Sequence, residues 1–432
     1  MKTKLFLLGG ALVLGSAMAV FVAGCEVTSE KLQTWKQTIK GAAKIRAALR
    51  DEGQKIEIRV EAGQALCEMG LFVPLTEDFN ALKPDQRSQI LDTLTKRLIG
   101  AMEGSNPTST TRTQVQAKDA LFSLRGMMGD ALRKTIDEKV TRWLLGDWAK
   151  RGSGEHSSEK IITTIGATSG AVLAQMVEQG TPTVVSATLI RQVGSQQDRD
   201  RAAEGIIALA EKQKPAQVQT FHALGKVGSL KAVSYLDRVA QKGELEQRIW
   251  AMRALALFPH PTVISTAKSI AGDASLKDDR ALLRDEAFTV LEKISDPRSL
   301  DALVGFLEDS DEKVRYRAIE AILSGFGAKG LTKLLEGLPS SYTYKKEDLV
   351  DFIEKDIQEL GASALPALRE ALGSKNWVAR LVAARVLGRL GTKQDVTALE
   401  KLGSDSTKLR GWEGGATVGS EALAAAKQLK GR

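Results

Sequence analysis

An apolar residue flanked by alanines returns every thirty to thirty-six residues or so through much of this chain, and that recurrence restricts the fold more than any other feature. With Leu387 in WVARLVAARVLGRLG as the reference, the equivalent positions are Leu66, Leu121, Leu224, Leu255, Leu291, Ile322 and Ile357. From Leu224 onward the steps are 31, 36, 31, 35 and 30 residues, the length of two short antiparallel helices with their turns. Nearly every periodic stretch follows the helical period rather than alternation. Self-similarity at this length is the mark of a stacked-repeat architecture. Four residues before the reference stand Ala62, Ala117, Ala251, Ala287, Ala318 and Ala383; one before it stand Ala65, Ala120, Ala223, Ala254 and Ala321. Small side chains at fixed places let neighbouring helices approach closely. The Ile357 unit departs, with Ile353 and Asp356 at these positions.

A third column is basic. Seven residues before the reference lie Arg59, Arg248, Arg284, Arg315 and Arg380. An acid stands four residues earlier in two units (Glu244, Asp311) and Asn376 takes that place before Arg380. A charge recurring at one structural position points to hydrogen bonds between stacked units, for which the guanidinium fork is suited; a ligand-binding stripe is the alternative. The segments SKNWVARLVAARVLGRLG and DSDEKVRYRAIEAIL resemble HEAT repeats, in particular the short variety of phycobilisome-lyase-like proteins. The resemblance is good over about 214–402, fair over 54–126 and weak over 127–213. It implies an all-α fold, a continuous α-solenoid over 54–432. Action on bilin chromophores, known for some members of that family, has no supporting residue here.

The period is interrupted in four places, and loops carry function disproportionately. LFVPLTEDFNALKP (71–84) is expected to lengthen an inter-helix loop, and EGSNPTSTTRT (103–113) to be a polar linker. PSSYTYKKEDL sets Tyr342 and Tyr344 beside Lys345 and Lys346, and KLRGWEGGATVGS carries Trp412 on a glycine-rich loop. Tyrosine, tryptophan and basic residues are common interface anchors, so these five are the candidate partner-binding residues; a longer connection packing its own aromatics is the competing reading. WLLGDW (143–148) reads as core.

The N-terminus supplies an address. Lys2 and Lys4 precede an uncharged run from Leu5 to Gly24, and Val22-Ala23-Gly24-Cys25 resembles a bacterial lipobox. That resemblance implies a signal peptide over 1–24, lipidation of Cys25, and a linker and helix over 25–53 near the anchor. The run is also long enough for an uncleaved signal anchor, and a chance cysteine in an ordinary signal peptide is the third reading. Glu26 is not the aspartate associated with inner-membrane retention in enteric bacteria, so outer-membrane placement is permitted. With Cys25 lipidated, Cys67 has no partner for a disulfide and is expected to be a buried small apolar residue.

The formal charge of +8, reduced by two if Lys2 and Lys4 leave, is spread among acids along the chain rather than gathered into a basic face, which argues against nucleic acid as a partner. The three histidines, His156, His222 and His260, stand apart, and no zinc spacing, phosphate loop or nucleophile elbow occurs. Paired acids such as Asp278-Asp279 and Asp309/Asp311 fit helix capping. No cofactor or metal is expected. The favoured function is a lipid-anchored scaffold or adaptor of the bacterial cell envelope that faces the periplasm and binds another envelope protein or complex. An enzyme or enzyme subunit with its site in 127–213 or in the late loops is the rival, and a binder of anionic glycans or lipids the third class.

Overall fold

The computed structural model describes residues 26–104, 110–147, 158–180, 184–213, 216–343, 349–412 and 414–432. Among these the fold is all-α, with no strand beyond one isolated bridge between Lys408 and Thr417. Contacts divide the chain into two compact units, 1–150 and 151–432. The first holds α1 (Ser29–Lys36), α2 (Gly41–Arg50), α3 (Ile56–Glu68), α4 (Phe72–Asn80), α5 (Pro84–Glu103), α6 (Thr111–Leu124) and α7 (Asp130–Asp147). The second holds α8 (Ser158–Ile165), α9 (Ala167–Glu178), α10 (Val184–Val193), α11 (Gln196–Lys212), α12 (Val218–Val227), α13 (Leu230–Lys242), α14 (Leu245–Leu257) and α15 (Ile264–Ala271). It continues with α16 (Ala281–Lys293), α17 (Pro297–Val304), α18 (Glu312–Gly337), α19 (Leu349–Glu359), α20 (Leu365–Ala371), α21 (Trp377–Leu390), α22 (Val396–Leu402) and α23 (Val418–Lys430).

In the second unit these helices form two stacked layers. Helices α10, α12, α14, α16, α18, α19, α21 and α23 pack on one another in order, and α9, α11, α13, α15 and α17 form the outer row. This is an α-solenoid. The stretch 158–213, where the repeat is faint in the sequence, follows the same alternation. Every reference residue lies on a helix of the inner row or on its counterparts α3 and α6, and all eight are fully buried. The alanine columns around them are buried as well. Glycine extends the same logic at two positions directly after the reference. A Cβ on Gly225 would stand 2.4 Å from the Ala254 carbonyl oxygen of the next inner helix, and one on Gly388 would stand 2.7 Å from the Ala425 Cβ. The inner row is therefore packed closer than a side chain of any size permits.

Local chemistry sets the ends of the helices. Asp311 and Asn376 accept hydrogen bonds from the backbone two residues on and cap α18 and α21, as expected for such residues. Ser195 with Asp198, and Thr110 with Thr113, form reciprocal capping boxes. Helix α18 breaks at Gly327, whose φ of 53° and ψ of −137° lie where only glycine sits without strain, so one helix runs into the next without a loop. The stretch 71–84 corrects an expectation, since it contains α4 rather than a lengthened loop. Leu75 and Phe79, one helical turn apart, are both fully buried, and Pro74 falls in the first turn where its missing N–H costs nothing. Asp78 on the same helix is buried against Arg46, with Nε at 2.8 Å, and against Arg50.

The arginine column is a set of staples. Arg59 Nε donates to the Leu49 carbonyl at 2.8 Å, Arg248 Nε to Ala240 at 2.8 Å and Arg284 Nε to Ala271 at 3.1 Å. Arg315 reaches the Asp309 carbonyl, and Arg380 the Ser374 carbonyl at 2.8 Å. Each acceptor lies at or just beyond the C-terminus of the preceding antiparallel helix, where carbonyls are orphaned and the helix dipole is negative. Arg59, Arg284 and Arg380 also reach forward to the following unit, to Gln86, to Asp311 at 3.4 Å and to Asp405 at 2.8 Å. Asp311 thus faces the arginine of the unit before it as well as capping its own helix. Among the described residues no single helix is long and apolar enough to cross a membrane; α8 and α9 pass that test only together, across a 114° bend, with most of their apolar side chains buried in the unit.

Replacing Arg284 with alanine leaves the Ala271 carbonyl and Asp311 without their shared donor and is expected to cost about 2 kcal/mol. Arg298, paired with Asp296 on the surface, is the comparison, and Arg298→Ala is expected to leave the transition unchanged. Urea unfolding of both variants checks the difference, and equal midpoints overturn the staple.

Candidate functional site

The inner helices leave one face without a second layer, and on α12, α14, α16 and α18 it is lined mainly from the positions five and two residues before the reference, with Tyr316 and Glu292 beside them. The side chains there touch from helix to helix. His222 on α12 meets Trp250 on α14 edge to face, ring centroids 5.7 Å apart. Arg253 stacks on Trp250 at 4.6 Å and pairs through Nε with Glu286 on α16 at 2.6 Å. Arg317 on α18 donates to Thr289 at 3.1 Å and pairs with Glu292 at 3.1 Å. Tyr316 lies against Phe352 on α19, centroids 4.7 Å apart. All of these residues are half-buried. The result is a stripe of aromatic and ionic side chains already held in place by one another.

At α19 and α21 the stripe meets a buried charge. Glu354 stands three residues before Ile357, at a position filled elsewhere by Phe221, Met252, Phe288, Ile319 and Ala384. It is fully buried. Arg385 Nε lies 2.6 Å from one carboxylate oxygen and Arg389 Nη2 lies 3.2 Å from the other, in ion pairs that are not aligned as hydrogen bonds. Desolvation pushes Glu354 up to about 7, against the pull of the two guanidiniums. Arg385 also pairs with Asp351 at 3.0 Å and lies over the Trp412 ring at 5.3 Å. Lys118, at the matching position in the first unit, is a second buried charge, paired with Asp119.

The candidate residues from the sequence fall in different settings. Trp412 joins the cluster just described, on a loop fixed by the Leu409 N–H to Ala416 carbonyl bond at 3.0 Å, with Gly411, Gly414 and Gly415 at positive φ. Tyr342 is 4% exposed and packs on Trp377 at 6.3 Å, while Trp377 Nε1 donates to the Ser340 carbonyl. The Tyr342 ring is thus part of the fold's interior and presents almost no surface. Tyr344, Lys345, Lys346 and Cys25 lie outside the described residues, as does His156. Trp148 lies outside them too, and Trp143 is half-buried. Cys67 is buried, and that burial pushes its thiol far up from its ordinary value. His260 caps a short 3₁₀ turn by accepting from the Thr262 N–H. Among the described residues no group of three or more His, Cys, Asp or Glu is placed to hold a metal ion.

The stripe was not legible as a site. Trp250, Arg253, Tyr316 and Arg317 sit on repeat helices, where a single sequence offers no contrast between packing and recognition. Glu354 did carry a signal, because it is an acid in an otherwise apolar column.

The family model for HEAT repeats matches residues 240–323. No curated protein matches the sequence. Among solved structures the chain is similar to a mutant of Kap121p, at 12% identity and a TM-score of 0.35, over 93% of this chain and 46% of that one. It is similar to the karyopherin Kap121p bound to the SUMO protease Ulp1p at 12% identity and a TM-score of 0.37, over 87% and 43%. Human deoxyhypusine hydroxylase in complex with glycerol is similar at 13% identity and a TM-score of 0.18, over 79% and 99%. The chain spans about half the length of the Kap121p chains, and at these TM-scores the likenesses carry no inference about function.

Glu354 gives the site a pH dependence with a defined sign. Its carboxyl holds a proton more tightly in the fold than in the unfolded chain, so its contribution to stability is complete below the ordinary glutamate value and is lost as pH rises through about 7. Glu354→Gln removes this titration. The stability of the variant relative to wild type is expected to rise between about pH 4.5 and 7. Unfolding midpoints across that range check it, and parallel curves overturn it.

Proposed function

We propose that this protein is a lipid-anchored scaffold or adaptor of the bacterial cell envelope, which binds another envelope protein through the free face of its inner helices. The observation that carries the reading is the preorganised stripe from His222 to Trp412. Aromatic and arginine side chains dominate binding energy at protein interfaces, and here their mutual contacts at 2.6–5.7 Å have already removed much of the ordering cost that binding otherwise incurs. Stacked repeats supply such a surface over many helices in succession. Cys25, behind the uncharged run that ends at Gly24, supplies the membrane attachment and raises the effective concentration of partners held at the same membrane.

The test is crosslinking of the tagged full chain in its own cells, purification from solubilised membranes and identification of what accompanies it. The double variant Trp250→Ser/Arg317→Ser is expected to retain its helical circular dichroism and to capture a specific partner about tenfold less than wild type. Wild type is expected to incorporate labelled palmitate, and Cys25→Ala to lose that label. Undiminished capture by the double variant overturns the stripe as the binding face, and a wild-type chain that takes up no acyl label, or a Cys25→Ala chain that takes up as much, overturns lipidation at Cys25.

A further inference from the structure

The two most exposed large apolar side chains among the described residues are Ile39, at 104% relative exposure, and Val73, at 72%. They lie 34 positions apart in sequence but at one end of the first unit. Lys36, at the end of α1, pairs with Glu68, at the end of α3, at 2.5 Å, so the α1–α2 turn and the α3–α4 turn are side by side. The exposure of Ile39 is built in. Its turn is closed by the Thr38 N–H to Trp35 carbonyl bond at 3.0 Å and the Gly41 N–H to Thr38 carbonyl bond at 2.9 Å. Gly41 is pressed onto the Trp35 carbonyl so closely that no Cβ fits. The backbone therefore presents an isoleucine to solvent at the tip of a fixed turn, which costs free energy that contact with an apolar phase recovers.

The surroundings select the phase. Lys40 and Lys44 beside the tip are exposed, Lys44 lies 5.5 Å from the centre of the half-buried Trp35 ring, and Glu68 is occupied by Lys36. The solvent side of α1 carries the uncharged Gln33, Thr34 and Gln37 next to this tip, while the exposed Glu30 and Glu26 stand at the far end of the helix, away from the tip. An apolar tip with lysines and a tryptophan around it is the composition that seats at the boundary of an anionic bilayer. Helix α1 has eight residues, about 12 Å of length, and its first residue follows Cys25 by four positions. We infer that the α1–α2 turn, with Ile39 at its tip and Val73 beside it, is a second membrane contact that inserts into the surface of an anionic lipid bilayer and fixes how the anchored chain stands on it. This rests on the membrane-attached reading above and adds a contact that lipidation alone does not supply.

The experiment places an environment-sensitive fluorophore at position 39 in the full chain, as Ile39→Cys on a Cys25→Ser background, Cys67 being buried. The labelled chain is bound to phosphatidylcholine vesicles and to vesicles that also contain phosphatidylglycerol. On the anionic vesicles the emission is expected to rise several-fold and to be quenched by brominated acyl chains, while the same label at Lys313→Cys is unchanged. Ile39→Asp is expected to lower partition into anionic vesicles about tenfold. A label at position 39 that stays in water on vesicle-bound chain overturns the inference, as does a response that requires an added envelope protein rather than lipid. Acyl labelling of wild type against Cys25→Ala tests the anchor by itself, so insertion at position 39 without lipidation, or lipidation without insertion, tells which of the two readings has failed.

Discussion

The guanidinium that closes five of the eight helix pairs is the interaction on which the stacking of those pairs depends. A helical hairpin ends its first helix with carbonyls that have no intrahelical partner, and in a solenoid those ends lie next to the following unit, partly out of reach of water. Arg284 answers both demands. Nε satisfies the Ala271 carbonyl inside its own unit, and Nη1 reaches Asp311, which begins the next unit's inner helix. Lysine has one charged head and cannot address two acceptors in fixed directions. The same side chain therefore ends one helix and sets the register of the next. The alanine and glycine columns then allow the backbones to meet at that register.

Much of this was legible in the sequence because stacked repeats write their core as columns. The reference residues and the flanking alanines occupy the structural roles that their recurrence implied; the arginines were expected to bond between stacked units, and they do so at Arg59, Arg284 and Arg380, but the bond common to all five lies within the helix pair. What remained hidden depended on partners rather than on period. Asp311 stands four residues before Arg315, a spacing that brings helical neighbours together, yet in space it serves Arg284 of the unit before. Helix α4 was hidden because one proline and two turn-like flanks masked a single buried face made by Leu75 and Phe79. Tyr342 reads as an exposed interface tyrosine until Trp377, 35 positions later, is seen to cover it.

The free face shows how one set of side chains serves both stability and recognition. Arg253 is ordered by Trp250 on one side and Glu286 on the other, and remains half-exposed. Side chains held in this way keep little rotational freedom to lose, so a partner meets a surface whose shape is already set. Glu354 differs in kind. It places a carboxyl group in a column built for apolar packing, and the two arginines against it link α19 to α21 and, through Trp412, to the loop that precedes α23. Electrostatics thus replace shape complementarity at that one level of the stack.

The break at Gly327 has a mechanical consequence. Most units of the second body are joined by turns of two or three residues, which can adjust slightly before any helix is disturbed. Across α18 the chain passes from one unit to the next through a single glycine, and that junction has no slack. A displacement of one half of α18 is therefore passed to the other with no turn between them to absorb it.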